Sequence, residues 1–202
     1  MRCARAGAGA LSLLLALAAG CRGRAAAETG AELAVLGTVP EFALTDQTGA
    51  PFRAADLAGR VHVVNFIFTR CPTVCPVSSR KMARLAERLE HAGAIRFVSF
   101  SVDPEHDTPA VLAAYAARYR ADPARWKFLT GPPAAVRTAA EQGFKIAVER
   151  GEALADGTPS ITHGTHFILV DRHLRIRGYY DSDDPGRLDQ LARDAEALAG
   201  ES

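Results

Sequence analysis

Little in this chain is in excess. Its 24 Lys and Arg nearly balance 23 Asp and Glu, for a formal charge of +1. With no basic surplus, nothing points to a nucleic-acid binder, and with no acidic surplus nothing points to a solvating tail. Cysteine is scarce: four residues in 202 are too few for a disulfide-stapled mini-protein. Proline, at 11, and glycine, at 17, are unexceptional, and there is no internal repeat or low-complexity tract beyond a bias to alanine. What remains is 48% hydrophobic and 23% charged, the balance of an ordinary folded protein. The length suits one domain, with or without attachments.

Long apolar runs are also missing. The longest near the start, residues 10–19 (ALSLLLALAA), falls short of the ~20 residues a bilayer-spanning helix needs. Behind Arg2 and Arg5 it suits the core of an export signal instead, roughly 7–15 residues. It ends in Leu17-Ala18-Ala19-Gly20-Cys21, which resembles a bacterial lipobox, where the cysteine is lipidated and becomes the mature N-terminus. Ala18 departs from the larger aliphatic residue of that pattern. The expected organisation is a lipoprotein-type signal over 1–20, with Cys21 lipidated. A flexible Ala/Gly/Glu-rich tether then covers 21–36, and a folded domain covers 37–202 at the periplasmic face of the membrane. A plain cleaved signal or an uncleaved anchor are the alternatives. Export and lipidation leave Cys71 and Cys75 as the free thiols. In an oxidising compartment such a pair is a disulfide or a soft-metal site.

Residues 61–68, 95–102 and 166–170 are near-continuous apolar runs of the kind that form strands buried on both faces. Residues 174–180 follow Asp171-Arg172-His173 closely enough to make a hairpin, and 42–45 before Gly49 read as a short first strand and turn. Helical spacing appears at Met82, Leu85, Ala86 and Leu89, with Gly93 as a stop. It recurs at Leu112, Tyr115, Ala116 and Tyr119 behind Thr108-Pro109, and at Leu188, Leu191, Ala195 and Leu198 behind Asp184-Pro185. A weaker helix is expected over 133–142. Strands alternating with helices and closed by a hairpin predict an α/β fold, a mixed central sheet flanked by helices. With a cysteine pair after the first long strand, the thioredoxin-like fold is the natural member of that class.

The stretch Phe66-Ile67-Phe68-Thr69-Arg70-Cys71-Pro72-Thr73-Val74-Cys75-Pro76 sets both thiols between that strand and a helix. Free N–H groups and the positive dipole end of a helix N-terminus favour thiolate, the form that attacks disulfides and binds metals. Residues at i and i+4 share a helix face, so both sulfurs can converge on one ion. A structural disulfide closing so small a loop would add little stability.

This block resembles the F-x-F-T-x-C-P-x-x-C-P motif of the Sco/SenC family of copper-binding proteins. Two further blocks follow in order: Ser101-Val102-Asp103-Pro104-Glu105-His106-Asp107-Thr108-Pro109 and Trp126-Lys127-Phe128-Leu129-Thr130-Gly131. The resemblance runs from about Leu36 to the C-terminus. It implies a thioredoxin-like domain that binds copper through Cys71, Cys75 and a histidine just before a late strand. His163 stands at the family's offset before residues 167–171. His166 is the reserve, since strand alternation does not choose between them. Thr162 replaces an acid often found there, which bears on how the imidazole is oriented. Asp103, an acid of the second block, is expected near the site. His62, His91, His106 and His173 have no cysteine-linked context, and Phe66, Phe68 and Trp126 read as core.

The function the resemblance implies is an extracytoplasmic copper metallochaperone. Two thiolates suit Cu(I), and the imidazole also accommodates Cu(II). Its partners would be the copper-accepting subunit of cytochrome c oxidase, whose binuclear centre it helps assemble, other copper chaperones, and the membrane through an N-terminal anchor. The alternative, an enzyme, is a thiol–disulfide reductase using Cys71 and Cys75 as its redox pair. A reductase does not require His163. The cysteine spacing also departs from the two-residue gap of thioredoxin-type enzymes, and no proline directly precedes residues 166–170. A redox or copper sensor is a third reading, for which the sequence identifies no partner-facing surface.

Overall fold

A strand with no polar face must be covered on both sides, and residues 61–67 are such a strand. The computed structural model describes residues 33–152 and 159–201. In chain order its elements are β1 (Gly37–Thr38), β2 (Ala43–Asp46), β3 (Pro51–Arg53), a 3₁₀ turn (Ala54–Leu57) and β4 (Val61–Ile67). Next come α1 (Val74–Arg88), β5 (Ile95–Ser101), α2 (Pro109–Arg118), β6 (Trp126–Thr130) and α3 (Pro133–Arg137). The chain finishes with β7 (Val148–Arg150), β8 (Ile161–His163), β9 (His166–Val170), β10 (Arg175–Asp181) and α4 (Pro185–Gly200).

All seven residues of β4 are buried at the middle of an eight-stranded sheet, in the order β1-β10-β9-β4-β5-β6-β2-β3. The strands β4, β5 and β6 run parallel, and β9 and β2 flank them antiparallel. The hairpin of β9 and β10 forms as expected. Among the described residues the ribbon of β7 and β8 pairs only with itself, outside the main sheet. The helix starts also follow the sequence signals. Thr108 Oγ1 accepts the Val111 N–H ahead of α2, and Asp184 accepts those of Gly186 and Arg187 ahead of α4. Helix α4 lies on β10, β4 and β5, and α2 lies on β6.

Phe66 and Phe100 stack with ring centres 5.2 Å apart, and Phe144 meets them at 5.7 and 5.4 Å. A polar thread crosses β4, β5 and β6. Trp126 Nε1–H donates to Ser99 Oγ at 2.9 Å, and the Ser99 hydroxyl donates to Asn65 Oδ1 at 2.6 Å.

Two sequence expectations need correction. Trp126 is core as read, but it opens a sheet strand, β6, that the alternation argument did not predict, because Lys127 breaks a run of only five residues. The helix expected over 133–142 is α3 followed by a π-type turn, Thr138–Gly143. There Gly143 lies against the Pro40 ring, where a Cβ would have no room.

Residues 33–36, the end of the stretch expected as a tether, lie along β10. Leu36 N–H donates to Ile176 O at 2.8 Å, and Arg177 Nε donates to Leu33 O at 3.1 Å. The expected signal and Cys21 lie outside the described residues. Among the described residues no helix is long and apolar enough to cross a membrane.

Candidate metal centre

Parallel neighbours end side by side, so β4 and β5 deliver two loops to one place. Val102 N–H donates to Ile67 O at 2.8 Å, which carries the pairing past the strand ends. Beyond it, Cys71 N–H donates to Phe68 O at 3.2 Å, and the chain turns into α1. Cys71 lies outside the helix, and Cys75 is its second residue. The two sulfurs therefore do not meet as i, i+4 neighbours on a helix face. Thr73 gives no side-chain cap, and Cys71 Sγ accepts the Cys75 N–H at 3.4 Å. The first thiol takes up the helix end that carries the second.

Both cysteines are free and buried. Their acidities diverge. Burial raises the Cys71 thiol. The N–H groups of Cys75 and Thr73, the Cys75 thiol and the Val74 N–H outweigh that and hold it below the ordinary range. Burial pushes Cys75 well above that range, and the neighbouring Cys71 adds to the effect.

His163 ends β8 and meets this pair from the other side. Its Nε2 lies 3.5 Å from Cys75 Sγ, and Phe68 stands edge-on to its ring at 6.1 Å. Burial keeps the imidazole neutral below its ordinary range, against the pull of the Gly164 carbonyl. That carbonyl, 3.1 Å from Nδ1, takes the ring proton, which leaves the Nε2 lone pair facing the sulfur. His166 opens β9 and is exposed. The contacts run in sequence from Cys71 to Cys75 to His163. Among the described residues no three His, Cys, Asp or Glu side chains are already gathered at metal-binding separation.

Asp103 is almost fully buried but touches neither sulfur nor imidazole. Its Oδ2 accepts from Arg70 Nε at 3.1 Å and Nη2 at 2.7 Å, and Arg150 Nη2 lies 3.6 Å from its Oδ1. Arg70 precedes Cys71, and Arg150 ends β7 in the ribbon that holds His163. The carboxylate thus ties the thiol loop to the histidine ribbon. Asp107 was not singled out from the sequence, yet it braces the start of the thiol loop. It accepts Thr69 N–H at 3.1 Å, the Thr69 hydroxyl, and Ser101 Oγ–H. Its own N–H donates to Asp103 O at 2.9 Å, so one turn arms both acids. The signal available was the four-residue spacing of two acids in one block, with Thr69 just before the cysteines.

The rim is apolar. Val74 and Val77, on the first turns of α1, are 45% and 39% exposed. Among the described residues nothing covers these two side chains, whereas their neighbour Cys75 is buried.

Fold and site together define a thioredoxin-like protein with a Cys–x₃–Cys pair and a histidine brought in from a separate ribbon. The chain belongs to the SCO1/SenC family, which it matches over residues 32–199. The SCO1 protein homolog of Bacillus subtilis (strain 168) is 31% identical over 163 residues, 80% of this chain and 82% of that protein. A SCO1/SenC family lipoprotein from Bacillus anthracis superimposes with a TM-score of 0.73 at 33% identity, over 81% of this chain and 95% of that one. The copper-bound ScoI of Bradyrhizobium japonicum gives 0.70 at 26%, over 80% and 99%. BsSco, a member of the Sco family of cytochrome c oxidase assembly proteins in which a disulfide switch was identified, gives 0.71 at 30%, over 82% and 95%.

Proposed function

We propose that this protein is a copper metallochaperone that serves assembly of the binuclear copper centre of cytochrome c oxidase, with Cys71, Cys75 and His163 as the metal donors. The observation that carries the reading is the neutral imidazole whose Nε2 faces Cys75 Sγ at 3.5 Å beside a second free thiol. Two soft sulfurs and one imidazole suit copper in either oxidation state. The cargo ion replaces the thiol protons on binding, which removes the cost of a buried thiolate at Cys75. Three donors leave a side open to a partner's ligands, and the apolar rim at Val74 and Val77 gives the copper-accepting oxidase subunit, or a donor copper chaperone, a place to sit. Anchoring at the periplasmic face through a lipidated Cys21 is supported by the 17–21 pattern and by the similarity to a lipoprotein.

The test is copper stoichiometry and absorption spectra of the reduced chain and four variants. One copper per chain is expected in the wild type and in His166→Ala. Outer contacts of a metal site are worth about 10–100-fold in affinity, and loss of a direct donor in Cys71→Ser or Cys75→Ser should exceed that. His163→Ala should bind, but weakly and with altered spectra. Unchanged affinity in Cys71→Ser would overturn the assignment.

The divided acidities favour a second activity of the same pair. A Cys71 thiolate can attack a partner disulfide and form a mixed disulfide. Cys75 then resolves it, leaving the partner with two thiols and this chain with a Cys71–Cys75 disulfide. Disulfide reduction that is independent of His163, with no tight copper binding, would move the function to that reaction.

A further inference from the structure

At the end of the sheet opposite the cysteines, three neighbouring parallel strands begin with cations. Arg60 precedes β4, Arg96 is the second residue of β5, Arg125 precedes β6 and Lys127 is its second residue. His62 pairs with Arg96 and Val98 with Lys127, so these side chains leave the sheet on one face. All four cations line one cleft of about 60 Å³, several times the ~10–15 Å³ that admits a single water by this measure. Asp56 is the one acid among its lining residues.

Two observations separate this cleft from an ordinary solvated face. The Nε–H groups of Arg96 and Arg125 are buried and find no acceptor among the described residues. Both guanidinium groups are nonetheless held in place, Arg96 Nη1 by Ile95 O at 3.0 Å and Arg125 Nη2 by Leu89 O at 3.1 Å. Among the described residues Lys127 has a carboxylate partner, Asp46 at 2.7 Å, while Arg60, Arg96 and Arg125 have none. Of the nearby acids, Asp56 accepts the Arg53 N–H at 2.7 Å and Asp122 that of Ala124 at 2.9 Å; neither forms an ion pair with these guanidinium groups, and the Asp122 charge offsets only a smaller part of the effect on Arg96. Burial, with the charges of Arg60 and Arg125 next in weight, pulls Arg96 below the ordinary arginine range. Buried donors and gathered like charges are both unfavourable until an acceptor and a countercharge arrive. Water can supply the first but not the second.

We propose that this cleft binds a compact phosphate-type oxyanion, held by the free N–H donors of Arg96 and Arg125 and balanced in charge by those two guanidinium groups and Arg60. Guanidinium forks match such oxygens in geometry as well as charge. Free phosphate and the headgroup of an acidic phospholipid present the same chemistry, and the experiment distinguishes them. Titration calorimetry and thermal melts of the purified full chain with inorganic phosphate, at constant ionic strength, read the free ion. Sedimentation with vesicles of phosphatidylglycerol in phosphatidylcholine, against phosphatidylcholine alone, reads the headgroup.

The wild type should bind phosphate and melt higher in its presence. R96Q and R125Q should lose affinity by about tenfold or more and R60Q by less, while R84Q, which removes an exposed cation on α1, should change nothing. In anion-free buffer R60Q should melt no lower than the wild type, because it removes only repulsion; this variant keeps the test decisive if R96Q folds poorly. Preference for the anionic vesicles without free-phosphate binding, lost in R60Q, supports the headgroup form. The proposal is overturned if neither source binds, if R60Q and R96Q bind as the wild type does, or if R84Q weakens binding equally. Copper stoichiometry is a separate readout at the other end of the sheet.

Discussion

The two ends of β4 treat buried charge in opposite ways. Past its C-terminal end each buried acid has a cation or donors built in: Asp107 has three donors, and Asp103 has Arg70 on Oδ2, while its Oδ1 makes no hydrogen bond among the described residues and faces Arg150 at 3.6 Å. Before its N-terminal end three arginines gather with no carboxylate paired to them among the described residues, and His62 is buried beside them. The matched end fixes the loops that carry two thiols and an imidazole. The unmatched end gains nothing from its charges until something binds. Polar groups inside a fold thus serve as scaffold or as receptor, depending on whether their partners are built in.

The largest effect expected from breaking this contrast is at Asp107. Asp107→Ala leaves the Thr69 amide, the Thr69 hydroxyl and the Ser101 hydroxyl without their acceptor, at a cost of about 3 kcal/mol. For a domain of this size that lowers the thermal midpoint by about 6–12 °C. An unchanged midpoint by calorimetry would mean the site end is not held together as described.

Next is the pH response of the unmatched end. Burial, against the pull of the Arg60 carbonyl and with the charges of Arg96 and Arg60 adding to it, lowers His62 from 6.5 to about 4. Between those values the unfolded chain carries a proton there that the folded chain does not, so stability falls as pH drops from 6.5 and the loss is complete below about 4. The full contribution is about 3 kcal/mol. Urea unfolding at pH 7 and pH 4.5 should show part of this slope in the wild type and less of it in His62→Gln.

A smaller and sharper contrast lies within the thiol pair. In Cys75→Ser, iodoacetamide should modify Cys71 with a midpoint below the ordinary thiol value of 9.0. In Cys71→Ser, Cys75 should react at least about tenfold more slowly at neutral pH, being both buried and shifted upward. Equal rates would remove the distinction between an attacking and a resolving sulfur. The smallest effect belongs to neither end. Lys81 reaches Asp183 at 2.6 Å, but that acid is 62% exposed, and Lys81→Ala should cost under about 0.5 kcal/mol in a urea melt.

Much of the sheet was legible because β4, β5 and β9 are apolar almost throughout, and burial on both faces leaves that mark. Strand β6 is short and carries a lysine. The ribbon strands, Val148–Arg150 and Ile161–His163, are half polar and bury little, so neither periodicity nor hydrophobicity reveals them. This is also why alternation could not choose between His163 and His166. The rule assumes one strand, and these two residues stand on different ones. The cysteines were legible as chemistry, but their geometry was not. Their convergence comes from a sulfur accepting a helix N–H, which residue spacing does not encode. Asp103 and Asp107 look alike in sequence, and only the direction of the turn between them separates the carboxylate that links the ribbon from the one that braces Thr69.

The thread from Trp126 through Ser99 to Asn65 bears on how this sheet finds its alignment. Strands buried on both faces along most of their length, as β4 and β5 are, specify their alignment only weakly through hydrophobic burial. The pairing that sets Asn65 across from Ser99 supplies partners for the amide oxygen, the hydroxyl and the indole N–H. A slip of one residue strands polar atoms among phenylalanines, at about 1–3 kcal/mol for each. The thread therefore proofreads assembly, and because the chain has one tryptophan, its fluorescence reports whether the central strands have reached the right alignment.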